Sequence, residues 1–215
     1  MQALSGALVY IITFSSIDFV AGWSYADWVL VLGIVISSRG LWNIFFSGIL
    51  DLPQLVRTGQ YDNIINMPVP SLVILSSSKI NSELWGEFFI GVFLICLSLV
   101  KGYAVSNILF LLVLFISVVM GTLIYFSFYI IVMSVSFWQF NSLGLLIIFE
   151  RLDELSKVPL NIFPSWVRGI LLTIIPVGLI GYIPGAYLSG KVNIYLYLSS
   201  VLASILFFSF SVFFL

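Results

Sequence analysis

Arg39 is the residue whose position most demands a partner. It falls inside an apolar run, Trp28 to Leu50, and a charge at membrane depth costs at least about 2.5–3.5 kcal/mol. Asp18, Glu83 and Glu87, each near the end of an apolar run, are the candidate counter-charges, and Asn43 lies one helical turn further along the same face. Two readings follow: a structural ion pair inside a helix bundle, or a polar lining of a substrate route by Arg39, Asn43, Glu83 and Glu87. Glu83 and Glu87 are four residues apart and share one helix face. They fit equally as interfacial charges at the start of an apolar span.

Other constellations carry less. The chain has no His, which removes the usual general base, the commonest transition-metal ligand and any Ser-His or Cys-His arrangement. No catalytic residue and no metal site are expected. Gly185 to Lys191 opens like a phosphate-binding P-loop, but Val192 stands where a Ser or Thr would hold magnesium, and no strand-to-helix context surrounds it. Tyr61-Asp62 matches half of an intramembrane aspartyl-protease pair; the second carboxylate such chemistry shares a proton with has no embedded motif here. Cys96 is alone in an apolar run, so no disulfide within the chain is available to it.

The elements that must position these residues are membrane helices. Of 215 residues 61% are apolar and 8% charged, with eight Lys or Arg against nine Asp or Glu; soluble domains run at about 25% charged. So little polar surface excludes a cytosolic enzyme. The net charge of −1 supplies no basic stripe for a nucleic acid. At about 20 residues per crossing, the length holds five or six membrane segments plus short loops and no separate soluble domain. The expected fold is all-α, a polytopic helical membrane protein of about six membrane segments in one domain, 1–215.

The first apolar run, Ala3 to Ile17, ends at Asp18 and reads as the outer part of a clipped first span rather than a secretory signal. A second span covers Trp28 to Leu50. The longest wet connection, 51–83, follows, and within it Leu52, Leu55 and Val56, then Ile64 and Ile65, recur at the three- and four-residue steps of a short interfacial helix. Leu84 to Val100 forms a third span. Ile108 to Val135, 28 residues, forms a fourth that must tilt, bend near Gly121 or protrude. Apolar segments at Phe137 to Phe149, Gly169 to Leu188 and Val192 to Leu215 complete the chain. Pro176 and Pro184 with Gly178, Gly181 and Gly185 interrupt the middle one, which either crosses as a broken helix or turns back as a re-entrant hairpin. Gly181 and Gly185 nominally form a helix-packing pair, with Pro184 favouring a kink over a dimer face. The 36 Trp, Phe and Tyr residues are expected mostly at lipid-facing or belt positions.

Two stretches resemble the membrane permeases of type-2 ATP-binding-cassette (ABC) exporters. The first is Arg57-Thr-Gly-Gln-Tyr-Asp-Asn-Ile-Ile-Asn-Met-Pro-Val-Pro70, similar to that family's Gly-x-Leu-Asp, Leu-rich turn and Pro-x-Pro. The second is Val158-Pro-Leu-Asn-Ile-Phe-Pro-Ser-Trp-Val-Arg168, followed by Ile175-Pro176 and Tyr182-Ile-Pro184. Met67 departs from the basic residue the family often places before Pro-x-Pro, and no amphipathic helix precedes the first run. The resemblance implies that 51–83 is cytosolic and contains a coupling helix resting on a separate ABC ATPase subunit, through Asp51, Leu55, Arg57, Gly59, Asp62, Pro68 and Pro70. It also implies a re-entrant element over 158–190, carrying Pro159, Pro164, Trp166, Pro176 and Pro184. No cofactor is implied in this chain; ATP and Mg belong to the ATPase. The implied partners are that ATPase, a second permease copy or paralogue and the lipid bilayer of a prokaryotic inner or plasma membrane, and the implied function is export of a hydrophobic or amphipathic molecule.

Positive charge argues for another arrangement. With 51–83 inside and 159–190 external, Arg57 and Lys79 lie inside against Lys101, Arg151, Lys157, Arg168 and Lys191 outside, contrary to the positive-inside tendency. Keeping 137–166 inside and letting Gly169 to Leu188 cross reverses this. A non-transport assembly or scaffold subunit is the alternative function, and a membrane enzyme, lacking His, a third.

Overall fold

The computed structural model describes residues 19–20, 22–81, 84–102, 108–138 and 143–214. The first apolar run, Asp18, Glu83 and the turn after Gly102 lie outside them. Three described helices are long and apolar enough to cross a membrane, and a fourth candidate is a bent pair. The all-α expectation holds; the other apolar runs of the sequence are a shorter apolar helix, an eleven-residue helix and the undescribed amino-terminal run.

A two-stranded ribbon, β1 (Phe19–Val20) with β2 (Trp23–Ser24), leads into α1 (Tyr25–Phe45). Ser24 starts α1 with a capping box: its Oγ accepts the Asp27 N–H and Asp27 Oδ2 accepts the Ser24 N–H, both at 3.2 Å. These bonds satisfy donors that a helix start otherwise leaves orphaned. α1 is buried on nearly every side, as a helix apolar all round must be at the centre of a bundle.

Small residues let its neighbours approach. A methyl at Gly91 would overlap the Ser37 backbone, and one at Gly121 would overlap Ser38. Close backbone approach through such residues replaces the hydrophobic driving force that lipid cannot supply. Gly121 therefore seats one helix on another, and the long helix containing it runs unbroken from Ile108 to Ser134.

After α1 a 3-10 turn (Ser47–Asp51) leads to α2 (Leu52–Arg57), α3 (Tyr61–Ile65) and α4 (Ser71–Ser77). α5 (Trp85–Gly102) runs back along α1: Trp85 meets Phe45 edge-on, and Ser98 Oγ donates to the Ala26 carbonyl at 2.6 Å. α6 (Ile108–Ser134) returns, with Ser117 beside Tyr197 near one end and Phe126 stacked on Phe46 near the other. α7 (Leu143–Asp153) climbs again, its Phe149 against Phe128 and Tyr129.

A segment of short pieces follows: α8 (Ser165–Thr173), a 3-10 turn (Pro176–Leu179) and α9 (Tyr182–Leu188), bent by 75°. α10 (Ile194–Val212), capped by the Asn193 side chain on the Leu196 N–H, descends from Tyr187–Tyr197 stacking to Phe208 on Phe126. The bundle thus has a Trp23 end and a Phe45 end. The main core joins Val31, Val35 and Trp42 of α1 to Ile124, Tyr129 and Ile130 of α6 and to Ile180 and Ile183 near the break.

Candidate functional site

Residues 51–70 project from the Phe45 end. Leu52 and Tyr61 are buried in the core and the partly buried Leu55, Val56 and Ile64 pack against it, while Arg57, Gly59, Asp62, Pro68 and Pro70 are exposed. Asp51 is fastened by Lys79 at 2.5 Å. The spacing leads one to expect a single helix here; the chain forms two. Thr58 ends α2, Gly59 adopts φ +71, a conformation that favours glycine, and α3 restarts at Tyr61. Two short helices meeting at a glycine make an angular ridge that turns Leu52 and Tyr61 inward and exposes Arg57 and Asp62 beside the apolar Ile65, Met67 and Val69.

Beside Tyr61 an open cleft of about 510 Å³ is lined by Tyr61, Ile65, Val69, Pro70, Phe137, Trp138 and Phe214. It brings the projecting segment, the end of the α6 descent and the end of α10 together. The Tyr61 and Phe137 rings lie 5.1 Å apart.

Deeper in the bundle Arg39 is held by two carboxylates. Its Nη1 donates to Asp153 Oδ2 at 2.9 Å, and its Nε lies 3.4 Å from Glu87 Oε1. Asn43 Nδ2 donates to Glu87 Oε2 at 2.7 Å. Asp153, only 2% exposed, also accepts the Tyr125 O–H at 2.5 Å, while its backbone carbonyl accepts the Ser156 O–H at 2.7 Å with the carboxylate 3.3 Å from the same hydroxyl. Glu87 and Asn43, named from the sequence, are thus joined to Arg39, with Glu87 turned inward. Asp153 and Tyr125 were not anticipated. The sequence carries no signal that singles out Asp153 from the charged residues around it; the structure buries it one helical turn from Phe149 on α7.

The proline-rich segment is fastened at both ends to the Trp23 end of α1. Trp28 Nε1 donates to the Lys157 carbonyl at 3.0 Å, and Lys191 Nζ lies 2.8 Å from Asp27 Oδ2 and donates to the Gly22 carbonyl at 2.9 Å. Between these anchors the segment reaches inward to Gly181, where a Cβ would strike Val35, and Ile180, which packs at Gly121. Pro159 and Pro164 sit in extended turns, Trp166 is exposed on α8, Pro176 opens the 3-10 turn, and Pro184 lies in the first turn of α9, where its missing N–H costs no helix bond. Gly181 and Gly185 pack α9 on Val31 and Val35 of α1 within the same chain. Asn161 Oδ1 accepts from Tyr182 at 2.5 Å and from Arg168 at 3.2 Å.

Gly185 to Lys191 closes α9 rather than cradling an anion: Gly190, at φ +69, and Lys191 bond back to Tyr187 and Ala186. Among the described residues no group of three or more Cys, Asp or Glu is placed to hold a metal. The arrangement offers an ionic junction inside the bundle and, at one end of it, an exposed ridge carrying both charged and apolar side chains.

A family model described as ABC-2 family transporter protein matches residues 2–215. Comparison with curated proteins and with solved structures gives no significant match.

Proposed function

The chain belongs to the ABC-2 family of transporter proteins, and on that premise we propose that it is the permease subunit of an exporter driven by a separate ATPase. It works with a second permease copy or a close relative in a prokaryotic inner or plasma membrane. ATP and magnesium sit on the ATPase. The cargo is hydrophobic or amphipathic, and Arg39, Asn43, Glu83 and Glu87 are the candidates along its route.

The observation that carries the reading is the ridge from Leu52 to Pro70: it exposes Arg57, Asp62 and Asn63 together with the apolar Ile65, Met67 and Val69, and is clamped to the core through Leu52 and Tyr61. A surface so held transmits a push instead of absorbing it, and Arg57 and Asp62 offer charges for recognition by a soluble partner. In this reading the Phe45 end is cytosolic, and the segment from Lys157 to Lys191 is a re-entrant hairpin on the opposite side. The support is that both of its anchors lie at the same end of α1.

The test is co-purification in mild detergent. The tagged chain should bring down a nucleotide-binding protein, and Arg57→Ala with Asp62→Ala should release it without altering the permease's elution. A chain that brings down no ATPase loses the mechanism. For sidedness, Ser165→Cys on a Cys96→Ala background should react with an impermeant thiol reagent from the face opposite the ATPase, since Ser165 is exposed. Labelling only after permeabilisation would reject the hairpin placement.

A further inference from the structure

The geometry points to Asp153 as a positioning residue for transport: its bond to Arg39 sets the register of α7 on α1, and α7 carries movement from the ridge to the hairpin. The inference rests on reading 51–70 as the ATPase-docking ridge.

α7 stands between the two. On its amino-terminal side the chain passes through Phe137, whose ring lies 5.1 Å from that of Tyr61 on the ridge. On its carboxyl-terminal side a 3-10 turn (Glu154–Lys157) ends at the Trp28 bond, and Leu160 follows, so close to Gly178 in the hairpin that a methyl at Gly178 would overlap its side chain. Phe137 directly continues α6, which meets the hairpin at Ile180 beside Gly121, and α7 meets it through Leu160; α7 is the second of these routes and the one Asp153 fixes.

Among the described residues, α7 is held besides Asp153 by apolar packing alone, through Phe149 and the partly buried Leu146. Leu145, Ile147 and Ile148 are exposed, while Phe149 and Asp153 are buried. Phe149 rests on the rings of Phe128 and Tyr129, contacts that tolerate sliding because dispersion and burial are not directional. The Asp153 bonds are directional. The carboxylate takes hydrogen bonds from Arg39 on α1 and Tyr125 on α6, and Arg39 in turn reaches Glu87 on α5.

An apolar contact would hold α7 at lower cost. Replacing a buried ion pair by apolar residues is often neutral or stabilising, and fixing register or a switch is the best-attested reason to keep one. A one-turn slip of α7 would break the Arg39 and Tyr125 bonds to Asp153 together, so the junction favours discrete positions over gradual deformation.

The experiment uses the chain with its co-purifying ATPase in lipid nanodiscs, on a Cys96→Ala background. One spin label is placed at Ser77→Cys, exposed on α4 beside the ridge, and another at Ile174→Cys, exposed in the hairpin. ATP with vanadate should change the signal of both. In Asp153→Asn, which keeps the shape and the Tyr125 hydrogen bond, the change at Ser77 should persist and that at Ile174 should fall about tenfold, within the usual range of coupling between sites. The apolar variant Arg39→Met/Glu87→Gln/Asp153→Leu should bind ATPase yet show the same loss, and it decides the matter should Asp153→Asn not fold. An Ile174 response that survives in either variant, or that is absent in the parent while Ser77 responds, overturns the role of Asp153. A parent that binds no ATPase, or in which neither label responds, overturns the ridge reading instead.

Discussion

The ammonium of Lys191 lies 2.8 Å from the Asp27 carboxylate and 5.1 Å over the Trp23 ring. The turn that closes the proline-rich segment is thereby tied to the first turn of α1, where Asp27 already serves the Ser24 cap. Lys191→Met should lower the melting temperature in detergent by the equivalent of about 1–2 kcal/mol, between the values for exposed and buried pairs. Asp27→Asn, whose amide oxygen can still accept the Ser24 N–H, should cost less than Asp27→Leu, which loses the cap as well. Equal melting of the two Asp27 variants would contradict this.

Two glycines should respond to alanine with opposite signs. Gly91 faces the Ser37 backbone with no room for a methyl, and Gly91→Ala should cost about 1–3 kcal/mol by forcing α1 and α5 apart. Gly169, inside α8 with nothing within reach of a Cβ, should gain about 0.5–1 kcal/mol as Gly169→Ala through helix propensity. Thermal unfolding of the two variants in one detergent checks both.

At Gly59 the cost of substitution is conformational, because a Cβ would meet nothing. Gly59→Val forces a β-branched residue to φ +71 and should cost about 1–2 kcal/mol, local to the ridge. Limited proteolysis should show faster cutting between α2 and α3 in Gly59→Val than in Gly59→Asn, since asparagine tolerates this region better.

The Arg39 junction should be strongly non-additive. Arg39→Met leaves Asp153 buried without its guanidinium and should cost about 3–5 kcal/mol. Adding Asp153→Leu should recover at least about 1 kcal/mol of that loss, the coupling expected of residues in one network. Additive melting shifts would show that the two side chains do not depend on each other.

Much of the architecture is legible in the sequence where one physical rule acts alone. The helix from Ile108 and the one preceding Leu215 follow from uninterrupted apolar runs that only a bundle in lipid can bury. Arg39 announces a need for counter-charge by its depth, and Glu87 with Asn43 answers from nearby helix faces. Asp153 is illegible because it stands among Glu150, Arg151, Glu154 and Lys157, where local composition reads as a wet loop. Only tertiary packing turns that one carboxylate inward, to a partner 114 residues away. The ridge is misread as one helix because the apolar spacing continues across Gly59 while the backbone does not.

α6 and α10 also differ in reach. At 27 residues α6 extends about 40 Å, against about 28 Å for the 19 residues of α10, and a hydrocarbon layer about 30 Å thick cannot suit both at the same tilt. α6 leads at its lower end into Phe137, the neighbour of Tyr61, so a thinner leaflet that leans α6 over displaces the aromatic pair beneath it. Acyl-chain length in the surrounding annulus thus becomes an input to the same ridge that a nucleotide-driven partner would grip.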